Sequence, residues 1–189
     1  MNENFIVLTF KDGIRKVNKL ELTQDPYLIS DFHLSHKNII LYSNRPFKSI
    51  EEMNAALIHN WNSVIEETDI VIFVGDLFLG HKKELERWLS LLKGNIIFIK
   101  GNHDSKSFNA PKELIIVFQG QQFFVTHNPA NKPLDWQGWM IHGHTHNSNT
   151  NKYPLINKAN KTINASCELM NYTPIRLSAL LKKIEANDS

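Results

Sequence analysis

The sequence predicts an α/β fold built on mixed β-sheets. Apolar, β-branched segments typical of buried strands alternate with amphipathic helical segments over the first half of the chain. The second half contains further strands and hairpins, a combination that favours mixed sheets. The 189 residues fall within the ~100–200 residues of one folding unit, and no linker or internal repeat divides them. We therefore expect a single domain over residues 1–189.

The predicted elements follow in order from the amino terminus. A β-hairpin is predicted within residues 1–22, because the β-rich segment Phe5–Phe10 precedes a glycine turn, and we expect it to be part of the same domain. The first helix begins near Ser49, whose hydroxyl can cap it while Glu52 completes a capping box. A second helix is predicted over residues 83–93. Strands are predicted at residues 27–30, 69–74, 95–100, 114–118, 122–126, 139–142 and 162–165, and a last helix at residues 177–184.

Composition argues against several classes of protein. The 42% hydrophobic and 21% charged residues are globular values and exclude disorder over most of the chain. The 21 basic and 19 acidic residues give a net charge of +2, which does not indicate a dedicated nucleic-acid-binding surface. No apolar run approaches the ~20 residues that cross a bilayer, and residues 1–4 do not begin a signal peptide. The single cysteine, Cys167, cannot form an internal disulfide, so we expect a cytoplasmic protein.

Five segments share one pattern, an apolar strand followed at once by a residue type that binds metals. Since the carboxyl ends of strands in an open sheet meet at one edge, the five segments are expected to converge there. Asp31 and His33 are two residues apart and would point to the same side of an extended backbone, and His144 and His146 repeat that spacing. Gly143 lets the chain turn closely at this point. The segments are residues 29–33, 74–76, 100–104, 125–127 and 141–146.

These segments supply too many donors for one metal ion. A single Asp or His after a strand is usually a turn residue, but five such segments are hard to obtain by accident. Carboxylates and imidazoles without a thiolate favour manganese, iron, zinc, cobalt or nickel. Two ions ~3.5–4 Å apart form the clamp that activates water and stabilises charge in displacement at phosphorus. The seven donors, which suit two ions sharing a carboxylate, are Asp31, His33, Asp76, Asn102, His127, His144 and His146.

The order Asp-x-His, Gly-Asp, Gly-Asn-His-Asp, His and Gly-His-x-His resembles the calcineurin-like metallophosphoesterase superfamily. Residues 38–52 and 171–174 are similar to a small, largely uncharacterised bacterial and phage branch of it. The resemblance implies a β-sandwich of two mixed sheets flanked by helices, and two divalent ions with manganese as the first choice. It implies a first ion held by Asp31, His33, Asp76 and His146, and a second held by the bridging Asp76 with Asn102, His127 and His144.

The resemblance also implies a catalytic histidine and a nucleophile. His103 matches the family's catalytic histidine, which would protonate the leaving group or hydrogen-bond the phosphoryl group. The nucleophile would be a hydroxide that bridges the two metals. One departure from the family's pattern is that Leu-Phe-Leu-Gly at residues 77–80 follows Asp76, where many relatives carry two variable residues, then an acid or amide and then an arginine. This departure argues against a protein Ser/Thr phosphatase.

The loop over residues 32–47 is the candidate substitute for the missing arginine. Arg45 could make a bidentate phosphate contact or could order the loop as a structural residue, and both interpretations stay open. His36, Lys37 and Asn38 are further candidates for substrate binding. The remaining helix histidines, at positions 59 and 81, are interpreted as ordinary residues.

Together these observations predict a metal-dependent phosphoric ester hydrolase. The expected substrate is a phosphodiester or phosphomonoester that is small and nucleotide-like, or a nucleic-acid end, and no membrane partner is expected. One alternative is a nucleotide pyrophosphohydrolase with the same site. The other alternative is a non-catalytic, metal-bound interaction module, against which the complete donor set and His103 argue.

Overall fold

The computed structural model describes residues 4–80, 82–105 and 108–186. Strands alternate with helices up to residue 99, and strands dominate the rest of the chain until the last helix. In chain order the elements are β1 (Phe5–Phe10), β2 (Gly13–Leu22), β3 (Tyr27–Ile29), α1 (Ile39–Tyr42), α2 (Ile50–Val64), β4 (Ile70–Val74), α3 (Lys82–Leu89), β5 (Asn95–Ile99), β6 (Glu113–Phe118), β7 (Gln121–Thr126), β8 (Trp139–His142), β9 (Ile156–Asn157), β10 (Thr162–Asn164), β11 (Ile175–Arg176) and α4 (Leu177–Ala186).

The strands form two mixed sheets, which confirms the predicted fold class. The larger sheet has seven strands in the order β1-β2-β6-β7-β8-β10-β9, and the smaller has four in the order β11-β3-β4-β5. Strands β3, β4 and β5 run parallel to one another, and β7 runs parallel to β8. The predicted amino-terminal hairpin is present, and its second strand pairs in parallel with β6, so the hairpin extends the larger sheet.

The main core includes apolar side chains from both sheets, and alternate residues of the central strands point to opposite faces of the larger sheet. Ile116 and Val125 belong to the main core together with Leu28 and Ile72 of the smaller sheet. Their neighbour Phe124 contributes to a second apolar cluster, which contains side chains from the hairpin. Both faces of the larger sheet are therefore covered, as expected for strands that read as continuous apolar runs.

Helix α2 begins where the capping residues predict. The Ser49 hydroxyl accepts the Glu52 N–H at 3.2 Å, and the Glu52 carboxylate accepts the Lys48 N–H at 2.8 Å. The reciprocal bond of the capping box is thus displaced by one residue towards the amino terminus. The helix buries Trp61, whose ring centroid lies 6.2 Å from that of Phe73 in β4, and this contact packs α2 against the smaller sheet.

The second predicted helix ends earlier than expected, at Leu89 instead of residue 93. Asn62 of α2 explains the difference, because its amide donates to the Leu91 carbonyl at 2.7 Å and accepts the Lys93 N–H at 3.1 Å. These contacts between α2 and the segment after α3 compete with a further helical turn. They cannot be predicted from the periodicity of the sequence. Gly94, predicted to follow the helix, adopts a φ of +90°.

Three short elements were not predicted, namely α1, β9 and β11. Each has four residues or fewer, too few for a periodic pattern. His59 is exposed on α2, as expected of an ordinary residue, whereas His81 lies outside the described residues. Over residues 4–80, 82–105 and 108–186, no helix combines the length and the apolar character that crossing a membrane requires.

Candidate metal centre

The predicted donors follow the ends of five strands, three parallel strands of the smaller sheet and two parallel strands of the larger sheet. Strands β3, β4 and β5 of the smaller sheet lead into Asp31, Asp76 and Asn102, and β7 of the larger sheet leads into His127. Strand β8, parallel to β7, leads into His144 and His146. The ends of strands from both sheets thus meet at one site, as the pattern of strand followed by donor predicts.

The first group of donors consists of Asp31, His33 and His146, each of which offers one ligand atom within 4.8 Å of the others. Asp31 Oδ1 lies 3.9 Å from His33 Nε2 and 3.6 Å from His146 Nε2. Both Asp31 and His33 are buried. One carboxylate and two imidazoles that converge in this way match the donor set of a borderline divalent cation.

The second group consists of Asp76, His127 and His144, again with ligand atoms within 4.8 Å of one another. Asp76 Oδ2 lies 3.1 Å from His127 Nε2 and 3.6 Å from His33 Nε2 of the first group. Asn102 Oδ1 approaches the second group at 3.1 Å from His127 Nε2. The Asp76 carboxylate therefore lies between the two groups, in the position that the predicted bridging role requires.

The backbone at this site is strained in a consistent way. Five of the seven predicted donors adopt a positive φ between 47° and 69°, a region that residues other than glycine rarely enter. The sequence argument placed Asp31 with His33, and His144 with His146, on extended backbone. That premise is wrong for both pairs. Left-handed residues bend the chain so that both side chains of a pair turn inward. The five residues are Asp31, His33, Asp76, His144 and His146.

The imidazoles are oriented for binding through one nitrogen. His127 Nδ1 lies 2.8 Å from the Val74 carbonyl, and His146 Nδ1 lies 2.9 Å from Glu168 Oε1, so in each ring the Nε2 atom is left to face the donors. Both ring nitrogens of the buried His33 lack a hydrogen-bond partner among the described residues. Because an unpaired buried polar atom is costly, His33 fits a site in which a cation completes its contacts.

The electrostatics of the two groups also fit a cation. Burial lowers the pKa of His33 to about 4, against the attraction of Asp31 and Asp76, so this ring is neutral at pH 7. Burial also opposes ionisation of both Asp76 and His127, but their mutual hydrogen bond, the neighbouring charges and backbone hydrogen bonds together outweigh it. The pKa of Asp76 falls to about 2, and that of His127 rises to about 9. A cation that binds between them would displace the His127 proton.

Small residues hold the first group tightly. Asp31 Oδ2 accepts hydrogen bonds from the hydroxyls of Ser30 and Ser166 and from the backbone N–H of His144. A Cβ atom at Gly143 would overlap with both Ser30 and Asp31. The predicted close turn at Gly143 is therefore present, and it brings the backbone after β8 against the end of β3.

Arg45 does not reach the face of the site. Its side chain is fully buried, and its guanidinium donates to the carbonyls of Asp31 and Phe32 at 2.6 and 2.8 Å. It also donates to Glu168 Oε1 through Nε at 2.9 Å and through Nη2 at 2.7 Å. This geometry favours the interpretation of Arg45 as the residue that orders the loop, because its hydrogen-bonding groups are directed at the protein.

The other predicted substrate residues lie at the rim. The His36 ring is half-buried, 5.6 Å from the ring of His33 and 6.2 Å from that of His103, whereas Lys37 and Asn38 are exposed before α1. His103 is also exposed, and its backbone N–H donates to Asp76 Oδ1 at 2.8 Å. Its ring centroid lies 5.3 Å from that of His33, which places His103 beside the donors.

Sequence reasoning missed two carboxylates that support the site. Glu168 accepts from both Arg45 and His146, and although burial opposes ionisation, these contacts lower its pKa to about 2. It follows β10 by four residues, too far for the pattern of strand followed by donor. Asp104, within the recognised Gly-Asn-His-Asp motif, accepts the backbone N–H groups of Asp76, Leu77 and Gly101 at 2.7–3.1 Å. It ties the loop after β4 to the loop after β5.

Comparison with known proteins shows the family of the chain. Residues 27–164 match the calcineurin-like phosphoesterase superfamily domain, and the chain belongs to this superfamily. It is 47% identical over 162 residues to the uncharacterized protein MJ1445 of Methanocaldococcus jannaschii, covering 84% of this chain and 90% of that protein.

Two further proteins resemble the chain. The gene 66 protein of Mycobacterium phage L5 is 33% identical over 81 residues, covering 41% of this chain and 39% of the phage protein. The crystal structure of AQ665, a protein of unknown function from Aquifex aeolicus, superposes with a TM-score of 0.63 at 24% identity, covering 85% of this chain and 99% of that one. The latter similarity supports the fold alone.

Proposed function

We propose that this chain is a metal-dependent phosphoesterase that hydrolyses a phosphodiester or a phosphomonoester of a small, nucleotide-like substrate. The observation that carries the proposal is the pair of donor groups joined by Asp76, with His33 buried among them and unpaired. The residues fit two divalent cations, for which manganese is our first choice and iron, zinc, nickel and cobalt are alternatives. Asp31, His33, Asp76 and His146 would hold one cation, and Asp76, Asn102, His127 and His144 the other.

The residues around the donors keep the site in a binding conformation. Val74 and Glu168 fix the rings of His127 and His146, so that little reorganisation is needed when a cation enters. When bound, two such ions lower the pKa of water and stabilise negative charge on the phosphoryl oxygens. Asp104 fixes the two loops that carry Asp76 and the catalytic candidate.

His103 is the proposed general acid. Its ring is exposed beside His33, and its backbone is anchored on the Asp76 carboxylate, so the imidazole can reach a leaving group without being a ligand itself. A proton given to the leaving oxygen typically contributes about 10²–10⁴-fold to the rate. We favour a diester because Leu79 and Gly80 occupy the positions at which many relatives carry an acid or amide and then a phosphate-binding arginine.

A panel of phosphoesters tests the proposal. The full chain, loaded with Mn²⁺, is assayed on aryl phosphate monoesters and diesters, nucleotides, a 5′-phosphorylated dinucleotide and dinucleoside polyphosphates. We expect turnover of esters that disappears on chelation and returns with Mn²⁺. Turnover confined to the polyphosphates would replace the proposal with a pyrophosphohydrolase. A metal-loaded protein that is inert on the whole panel would overturn the catalytic proposal in favour of a non-catalytic module. We also propose a cytoplasmic location, which fractionation of cells tests separately.

A further inference from the structure

A polar cavity of about 460 Å³ opens directly beside the second donor group, and its volume lies within the ~300–1,000 Å³ of typical ligand sites. Asn102 and His127, two of the proposed metal ligands, form part of its wall. Among the described residues, its lining contains no aromatic side chain other than the His127 imidazole and no aliphatic hydrophobic side chain. The other side chains that matter for the argument are Lys100, Lys112, Thr126, Asn128 and Asn131.

The cavity carries two ammonium groups. Lys100 Nζ donates to the Phe108 carbonyl at 3.0 Å, which anchors the half-buried side chain over the cavity. Lys112 is exposed at its rim. Asp104 also lines the cavity, but its two carboxylate oxygens accept three backbone N–H groups and are therefore directed into the loops. The balance of accessible charge is positive.

The cavity also offers neutral hydrogen-bonding groups. Thr126 belongs to the cavity lining but is fully buried, and its hydroxyl has no hydrogen-bond partner among the described residues. The side-chain oxygen of Asn128, Oδ1, accepts the Ala130 N–H at 2.9 Å, which fixes the side-chain amide at the cavity wall. Asn131 is exposed beside it. Ammonium, hydroxyl and amide groups around one cavity are the chemistry that binds phosphate oxygens.

We propose that this cavity binds a second phosphate group of the substrate, next to the phosphoester that is cleaved. The inference rests on the proposed function, because it takes the cleaved phosphoester to lie at the donor groups. It narrows the substrate class to compounds with at least two phosphate groups. An oligonucleotide end with a 5′-phosphate and a nucleoside polyphosphate both supply this chemistry.

Matched substrate pairs test the inference. The metal-loaded chain is assayed on the dinucleotide ApA against its 5′-phosphorylated form pApA, and on AMP against ADP. We expect kcat/KM to be at least about tenfold higher for the member with the additional phosphate, in line with one charge-assisted hydrogen bond. An advantage in the first pair assigns the second phosphate to a neighbouring diester position. An advantage in the second pair, with adenosine and pyrophosphate as the products of ADP, assigns it to a phosphate joined by an anhydride.

The variant Lys112→Gln removes one ammonium group from the rim, and Lys16→Gln, on the exposed hairpin strand β2, is the control with the same change in net charge. Lys112→Gln should lower the ratio of kcat/KM within the responsive pair by about tenfold, whereas the control should keep the wild-type ratio. Calorimetric titration of Lys112→Gln with adenosine 3′,5′-bisphosphate and with adenosine 3′-monophosphate should show the same loss of preference for the bisphosphate, now measured as binding affinity.

The outcomes separate the two proposals. Failure of the wild type to hydrolyse any ester refutes the proposed function, and the calorimetric titration still tests the phosphate site. Turnover without an advantage in either pair overturns the inference and leaves the proposed function intact. An advantage that Lys112→Gln and Lys16→Gln reduce equally also overturns it, because the effect would then come from net charge.

Discussion

The buried contact between Glu168 and its two partners, Arg45 and His146, should control both stability and metal binding. The variant Glu168→Gln keeps the size of the side chain but removes the charge from an oxygen that accepts two hydrogen bonds from Arg45 and one from His146. The pKa of Glu168 lies at about 2 instead of 4.5, and at about 1.4 kcal/mol per pH unit this favours the carboxylate by about 3 kcal/mol. The variant should lose about that much stability at pH 7, similar to the ~3–5 kcal/mol lost when one partner of a buried ion pair is removed.

Two measurements report on Glu168→Gln. Thermal unfolding of the metal-free protein should show a Tm lower by about 6–12 °C, since 1 kcal/mol shifts the Tm of a chain of this size by roughly 2–4 °C. Competition titration with Mn²⁺ should show an affinity about 10–100-fold weaker, the usual effect of losing the group that orients a ligating histidine. The weaker binding should be confined to the cation that contacts His146.

Glu113→Gln is the matched control for this variant. Glu113 Oε1 pairs with Arg15 Nη2 at 3.0 Å, but the Arg15 side chain is 38% exposed and the pair lies outside the donor groups. Glu113 is 12% exposed, but Arg15 is partly exposed and keeps a second carboxylate partner in Asp12, so the control should lower the Tm less than Glu168→Gln and leave metal affinity unchanged. Equal Tm shifts in the two variants, or wild-type metal affinity in Glu168→Gln, would refute the reasoning.

Three further substitutions test the proposed roles. Asp76→Ala should remove both cations, because its carboxylate lies between the two donor groups, and elemental analysis that still finds two ions per chain would contradict the bridging role. His103→Ala should keep both ions while kcat/KM falls by about 10²–10⁴-fold on esters with poor leaving groups, and loss of metal would show that the assigned role is wrong. Gly143→Ala should destabilise the chain by about 1–3 kcal/mol, because the added methyl group would overlap with Ser30 and Asp31, and an unchanged Tm would exclude that close approach.

The convergence of the donors could be predicted from the sequence, whereas the backbone conformation and the long-range contacts that bring them together could not. The donor residues follow parallel strands, and their meeting at one edge is a consequence of sheet topology that the order of the motifs already contains. The positive φ at Asp31 and His33 could not be predicted, because Asp and His enter left-handed backbone more often than most residues but still adopt a negative φ at most positions. Glu168 and Arg45 lie 123 residues apart, and a contact over that separation leaves no periodic signal in one sequence.

The two positions directly after Asp76 cannot carry a phosphate-binding arginine. Leu77 and Phe78 are 1% and 5% exposed, and Phe78 forms a β-bridge with Leu34, so the segment is part of the core. A guanidinium there would have to be desolvated without a partner, at a cost of several kcal/mol. Positive charge can approach the donor groups only where water still reaches them, and the cavity with Lys112 at its rim is such a place. The residues that replace a phosphate-binding arginine are therefore to be sought on the side of β5 and β6, and the loop that contains Arg45 serves to hold the donors in place.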